Sequence, residues 1–374
     1  MILTGLALHN FKNFNLLEVE FSTKIIGFVG NNGEGKTNLL DAIYFLSNGK
    51  SYLSSSDNQN LRHNEAFFSI LSLWKNESEE IVELQCAFKP GTKKKIKLNK
   101  KEYTKLSDHI GKFPVVFISP YDGDLIAEGS EMRRKWMDSI LSHFSREYLT
   151  HLQSYNRALE QRNCLLKNFH ENRYFDKESL EVWDDQLIEH GSHIFEERKL
   201  FVNEFLDYFQ RIYSQIATTS ELIDIEFLSK LLTTSYNELL EENLKKDLAV
   251  QYTSVGIHKD DLLFKLNGHP IKKYGSQGQQ KSFLIALRIA QYTWLKEHLK
   301  VSPVLLLDDI FDKLDRQRVT KLVALVAEGY FGQIFISDTD KERMTELFSS
   351  MPISTELFEI ANGNIHPITL HEKR

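Results

Sequence analysis

Gly30-Asn31-Asn32-Gly33-Glu34-Gly35-Lys36-Thr37 follows the apolar run Lys24 to Val29 and precedes Asn38 to Ser47, where apolar residues at 39, 40, 43 and 46 mark one helical face. The octet matches G-x-x-x-x-G-K-[ST] in full, and it lies between a predicted strand and a predicted helix, as a phosphate-binding loop requires. Its glycines let backbone N–H groups curl around a triphosphate, while the helix turns its positive end toward the same anion. Gly30, Asn31, Asn32, Gly33, Glu34, Gly35, Lys36, Thr37 and Asn38 are therefore candidate contacts to ATP. Lys36 would bridge the β- and γ-phosphates, and Thr37 would offer its hydroxyl to Mg²⁺.

A second motif answers the first. Val304-Leu305-Leu306-Leu307-Asp308-Asp309 is an apolar strand that delivers two carboxylates at its end. Successive strand residues point to opposite faces, so the two acids are expected to do different work. Asp308 would hold Mg²⁺ or its water shell, and Asp309 would orient or deprotonate an attacking water. Asp315, a little further on, could bridge a subunit contact. Between the two motifs, Ser276-Gln277-Gly278-Gln279-Gln280 precedes a predicted helix from Ser282 to His298; alone, such a loop reads as a helix N-cap.

Strand-like runs occur at Leu3 to Leu8, Leu16 to Phe21, within Phe67 to Lys97, and at Val115 to Ile118, Ile223 to Phe227, Leu262 to Leu266, Gln333 to Ser337 and Ile360 to Ile368. Glu131 to about Ala217 is instead long, charged and helical in period, with one glycine and no proline. The expected organisation is thus an α/β head in two halves, 1–130 and 218–374, around a helical insertion, 131–217. With 374 residues, 41% hydrophobic and 26% charged, the chain is an ordinary folded protein. Its two cysteines, Cys86 and Cys164, lie in no paired motif, so neither a disulfide framework nor a cysteine zinc site is expected, and a reducing cytosol fits. No apolar stretch is long enough to span a membrane, and no leader pattern is visible.

The net charge of −6 argues against a surface that coats polyanions as a whole. Lys89 to Lys112 breaks the balance, with nine lysines against Glu102 and Asp108, or +7. Such a block is either a solvated hairpin face or a strip that contacts phosphates, with Lys93, Lys94, Lys95 and Lys97 as its candidates. Arg133, Arg134 and Lys135 could likewise meet DNA or pair within the insertion.

With the two nucleotide motifs on either side, the Ser276 loop resembles the signature loop of ATP-binding-cassette ATPases. His9-Asn10-Phe11-Lys12-Asn13-Phe14 looks like the opening motif of the branch holding the chromosome-structure and recombination ATPases. Further blocks resemble the RecF family: Ser119, Pro120, Asp124 to Ile126, Arg133, Arg134, Asp138, the Tyr155 to Lys167 stretch, Gly256, His258, Asp260, Asp261 and Gly275 to Gln280. The resemblance implies an ABC-type P-loop ATPase head with an inserted α-helical lobe. It also implies a weak, Mg²⁺-dependent, cytoplasmic ATPase that forms a head-to-tail homodimer on ATP. In that dimer Ser276, Gly278 and Gln279 meet the γ-phosphate held by the other subunit, so Ser276 joins Lys36 and Asp309 as a catalytic candidate. The implied partners are duplex DNA near single-strand gaps, RecO and RecR, in recombinase loading, with no membrane. Four departures stand out: Ile257 and Lys259 replace an expected proline and arginine, which could soften that turn. No lid glutamine stands near Ser119. Asp309 stands where many transporters carry glutamate, and Ser337, Asp338 and Thr339 occupy the switch position usually held by histidine. A transporter ATPase subunit and a small-molecule kinase are the competing readings.

Overall fold

The computed structural model describes residues 1–217, 221–310, 321 and 330–370; Asp315 lies outside them. The chain opens with β1 (Ile2–Phe11), β2 (Phe14–Glu20), β3 (Ile25–Val29) and α1 (Lys36–Asn48). Strands β4 (Phe68–Lys75), β5 (Ile81–Phe88), β6 (Lys95–Leu98), β7 (Lys101–Glu102) and β8 (Val115–Ile118) follow. The middle of the chain holds α2 (Ser130–Phe144), α3 (Arg146–Asn172), α4 (Lys177–Ile216), β9 (Ile223–Leu228), α5 (Tyr236–Val250), β10 (Asp261–Leu266) and β11 (His269–Pro270). It closes with α6 (Gln277–Leu299), β12 (Val304–Asp308), β13 (Gln333–Asp338), α7 (Lys341–Ser349), β14 (Thr355–Ala361) and β15 (Asn364–Ile368).

Two compact units divide these elements: Met1–Asp122 with Gln215–Thr219 and Lys281–Arg374, and Gly123–Ser214 with Ser220–Gln280. The expected split at 131–217 is redrawn, because β9 to β11 and α5 cluster with the helices rather than with the head.

In the first unit, an antiparallel sheet in the order β2-β1-β4-β5-β6-β7 faces a largely parallel one in the order β15-β14-β3-β13-β12-β8. The parallel strands carry continuous apolar runs, buried on both faces: all five residues of β3 and of β12 are buried. The antiparallel strands instead alternate, as β4 does with Phe68, Ile70, Ser72 and Trp74 inward. Helix α1 packs on β8, β12 and β13 of one sheet and on β5 of the other. Enclosed in this way, it buries Leu39, Leu40, Ile43, Phe45 and Leu46, each contributing about 1.5–3 kcal/mol. Gln333 stitches the sheets together: its carboxamide accepts from Leu3 N (2.7 Å) and donates to Leu3 O (2.8 Å).

The second unit is helical with one small antiparallel sheet, β11-β10-β9. Its apolar faces are joined by buried ion pairs. Arg162 on α3, fully buried, donates to Asp184 of α4 (2.5 Å), to Asp247 of α5 (2.7 Å) and to Thr253 (3.0 Å). Arg198 on α4 reaches Asp138 of α2 (2.8 Å), Asp260 (2.9 Å) and the carbonyl of Ile257 (2.7 Å). The turn that lacks the expected proline is held from outside by Arg198. His258 is pushed down to about 4 by burial and stays neutral beside Tyr155 (2.7 Å).

Removing one partner of a buried pair strands the other charge, a loss of about 3–5 kcal/mol. Arg162→Met should therefore lower the urea midpoint of unfolding, with Asp247→Leu in the same chain recovering much of the loss; an unchanged midpoint for the single variant would contradict the role of the pair.

Candidate nucleotide-binding site

Strand β3 ends at Val29, and the loop turns into α1 with its strain carried by two glycines. A Cβ on Gly30 would stand 2.3 Å from the carbonyl oxygen of Ile360, so only glycine lets β14 approach this closely. Gly35 takes φ 110, and a Cβ there would meet the Asn13 side chain at 2.4 Å. That asparagine clamps the loop: Asn13 Nδ2 donates to Glu34 O (2.9 Å), and Asn13 Oδ1 accepts from Asn38 Nδ2 (2.7 Å). Its neighbour Lys12 forms an ion pair with Asp41, a buried residue of α1 that also accepts from Ser51 Oγ (2.6 Å) and Tyr52 N (2.7 Å). From the far side, the Glu34 carboxylate accepts from Asn362 N (2.5 Å).

Lys36 is buried at the foot of α1, its ammonium donating to the carbonyls of Gly30 (2.6 Å) and Asn31 (2.9 Å). Burial lowers its pKa, and the nearby carboxylates of Asp309, Asp308, Asp338 and Glu34 push back. Thr37 Oγ1 donates to the Asp308 carboxylate (2.9 and 3.0 Å), which also accepts from Ser337 Oγ at 2.6 Å. Burial holds Asp308 above the ordinary carboxylate range, with the Ser337 and Thr37 hydrogen bonds opposing. Asn32, Gly33, Gly35, Lys36, Thr37, Asn38, Asp308, Asp309 and Thr339 line one cleft of about 180 Å³. That volume suits a phosphate chain and its ion rather than a whole nucleoside triphosphate. Thr37 and Asp308 converge there as hard oxygen donors, the kind Mg²⁺ takes.

Alternation along β12 does not separate the two acids as a continued strand would. The strand ends at Asp308, and Asp309 adopts φ 48, a left-handed backbone that brings it to the same cleft. Their surroundings still differ: Asp308 is buried between two hydroxyls, whereas Asp309 is half-buried and its N–H donates to Ser337 O and Oγ (3.2 Å each).

Of the three switch-position residues, Ser337 serves Asp308, and Asp338 is buried and paired with Arg343 (2.6 Å). Thr339 alone of the three lines the cleft. Ser119 does not line it; its N–H donates to Asp122 (3.0 Å), which is paired with Arg288 (2.6 Å).

Ser276 and Gln279 form a reciprocal cap, Gln279 N donating to Ser276 Oγ (3.2 Å) and Ser276 N to Gln279 Oε1 (2.7 Å). This cap starts α6 five residues before the expected Ser282. Ser276 is exposed.

The basic residues sort clearly. Arg133 is bidentate to Asp261 (2.7 and 3.0 Å), and Arg134 donates to Asp260 O (2.6 Å), so both pair within the second unit. Lys135 pairs with Glu131 on the surface (2.6 Å). In the lysine block, Lys94 turns inward to Asp57 (2.7 Å) and over the Phe45 ring, which removes it as a phosphate contact. Lys93, Lys100 and Lys101 are exposed and Lys97 half-exposed, with no ion pair among the described residues.

The motif from His9 to Phe14 carried no assigned role in the sequence, because Asn13 meets Glu34 and Asn38 only through a hairpin tip distant in the chain. Deleting the Asn13 carboxamide removes two hydrogen bonds of about 0.5–1.5 kcal/mol each. Asn13→Ala should weaken ATP binding roughly tenfold by fluorescence titration; wild-type affinity would mean that the loop holds its shape unaided.

The family model for the RecF/RecN/SMC N-terminal domain matches residues 2–357. The DNA replication and repair protein RecF of Flavobacterium johnsoniae is 49% identical over 361 residues, covering 96% of this chain and all of that protein. RecF of Phocaeicola vulgatus is 43% identical over 366 residues, 98% of each chain. Among solved structures, the recombination mediator RecF with ATP, from the RecFOR pathway, superposes with a TM-score of 0.89 at 28% identity over 98% of each chain. An Smc head domain derived from Pyrococcus furiosus shares the fold, with a TM-score of 0.57 at 18% identity over 99% of this chain and 96% of that one. None of these relatives supports the transporter reading, and among the described residues no helix is long and apolar enough to cross a membrane.

Proposed function

The chain belongs to the RecF family of SMC-like, ATP-binding ATPases, and on that premise we propose that it is a DNA replication and repair protein whose ATP sites are completed by a second copy of itself. One observation carries the shared site. The phosphate cleft gathers Lys36, Thr37, Asp308, Asp309 and Thr339, and Ser276 is exposed at the start of α6. Because Ser276 Oγ spends its lone pair on Gln279 N, its hydroxyl proton is available to an oxygen outside the chain. The start of α6 at Gly278 would add the positive end of the helix, whereas the Gln279 N–H is already held by Ser276 Oγ.

Within one cleft, the Lys36 ammonium would exchange the carbonyls of Gly30 and Asn31 for the β- and γ-phosphates. Thr37 and Asp308 would hold Mg²⁺, which when bound neutralises phosphate charge and fixes the orientation of the triphosphate. Asp309 would accept a hydrogen bond from the attacking water, orienting it or taking its proton, and the short carboxylate arm fits a slow reaction. Thr339 would sense the γ-phosphate. From membership of the RecF family we further infer binding to duplex DNA near single-strand gaps in the cytoplasm, with RecO and RecR as partners in recombinase loading. Of the surface charges, the Lys93 and Lys97 hairpin is the candidate DNA strip.

Sedimentation with and without ATP and a gapped duplex tests nucleotide, dimer and DNA together. Lys36→Ala should stay monomeric with ATP, whereas Asp309→Asn should accumulate as an ATP-bound dimer. A mixture of Lys36→Ala and Ser276→Ala chains, each nearly inactive alone, should recover ATPase activity well above that of either variant, since each mixed dimer carries one intact site. Mixed dimers that form yet hydrolyse no faster than either variant would return Ser276 to a helix cap, provided that wild-type sites act independently. Replacing Lys93 and Lys97 with glutamine should flatten the slope of log affinity against log salt by about 1.8; an unchanged slope makes the hairpin a solvated face.

A further inference from the structure

A cluster of metal-ligating side chains lies apart from the nucleotide cleft, within the second unit. Glu147 and His151 are one turn apart on one face of α3, and His190 and His193 are three residues apart on α4. One ligand atom each of Glu147, His151 and His193 lies within 4.8 Å of the other two. The rings of His151 and His193 stack with centroids 4.0 Å apart, and His151 Nδ1 lies 3.1 Å from His190 Nδ1. His193 Nε2 is shut off from solvent and has no hydrogen-bond partner among the described residues. A folded chain rarely leaves such a nitrogen unmet, and here it belongs to a residue of the ligand cluster.

We propose that Glu147, His151 and His193 bind a divalent transition-metal ion of the zinc class, joining α3 to α4, with His190 as a positioning residue. Two imidazoles and a carboxylate are the donor set that zinc accepts readily and that Mg²⁺ and Ca²⁺ do not favour. Facing helices of a bundle build such sites from a carboxylate and histidines one turn apart. When His151 Nδ1–H donates to His190 Nδ1, the lone pair of His151 is left on Nε2 for the metal, the role usual for a partner behind a ligating histidine. Ligand atoms of a tetrahedral zinc at about 2.0–2.1 Å stand roughly 3.4 Å apart, so the three donors close in on binding. The exposed Glu147 side chain is free to swing, and the two stacked rings splay. Three protein ligands leave a fourth position to water.

The test uses the full chain without a polyhistidine tag, stripped of metal and free of nucleotide, titrated with Co²⁺ and then Zn²⁺. One Co²⁺ per chain should bind with the visible absorption of a four- or five-coordinate ion, be displaced by Zn²⁺, and raise the melting temperature. His151→Ala and His193→Ala should each lose at least tenfold in affinity. His190→Ala should lose about 10–100-fold, with His190→Gln keeping most of the binding through an accepted hydrogen bond. Asp308→Asn should bind Co²⁺ as wild type does, which separates this site from the nucleotide cleft. If a histidine variant fails to fold by circular dichroism, Glu147→Gln, exposed on its helix, gives the same reading. Absence of stoichiometric Co²⁺ binding, or equal affinity in wild type and the ligand variants, overturns the assignment.

Discussion

A loop that must present several backbone N–H groups to one anion cannot satisfy them internally, so its shape has to be imposed by what surrounds it. Here the imposing contacts come from three directions. The Asn13 carboxamide bridges Glu34 and Asn38, β14 presses its Ile360 carbonyl on Gly30, and Asn362 N–H holds the Glu34 carboxylate. Behind the loop, Lys12 and Asp41 fix the azimuth of α1, and the two sheets enclose its apolar sides. The antiparallel sheet thus has a task beyond covering a core: its first hairpin is the clamp on the phosphate loop.

The second unit solves a different problem. Its helices carry many charges, and their buried arginines are matched inside the unit: Arg162 with Asp184 and Asp247, Arg198 with Asp138 and Asp260, Arg133 with Asp261. Such pairs add little net stability over an apolar core, but a wrong register of any one helix would strand a charge. They therefore act mainly as a register lock. Because these arginines are consumed internally, any basic surface for a polyanion has to be made from residues outside them.

Where residue pattern and chemistry coincide locally, the sequence was legible. The continuous runs at 25–29, 115–118 and 304–308 became buried parallel strands, and the phosphate loop lies between strand and helix as its spacing demands. Helix α5 was not drawn from the pattern, although Ser235 and Glu238 spell a capping box at its start; it buries few residues, so its periodicity is faint. Asn13 and Ser337 owe their roles to pairings across 21 and 29 residues, which no local window contains. The inward turn of Lys94 was hidden for the same reason. In a run of lysines, burial is decided by Asp57 and Phe45, not by the run.

The cleft's own charge constrains the order of events. Around the single ammonium of Lys36 stand Asp308, Asp309 and Glu34, while Asp338 is offset by Arg343. A bare triphosphate would carry its negative charges into a field already negative on balance, at a place where burial weakens screening. Burial also raises Asp308, so a proton competes with a cation for it at a higher pH than for an exposed carboxylate. Nucleotide and divalent ion should therefore enter as one linked species, with the acids providing the selectivity for metal-bound over metal-free nucleotide. The carboxylates beside the phosphate loop work against phosphate alone, and that opposition would favour a nucleotide that arrives with its cation.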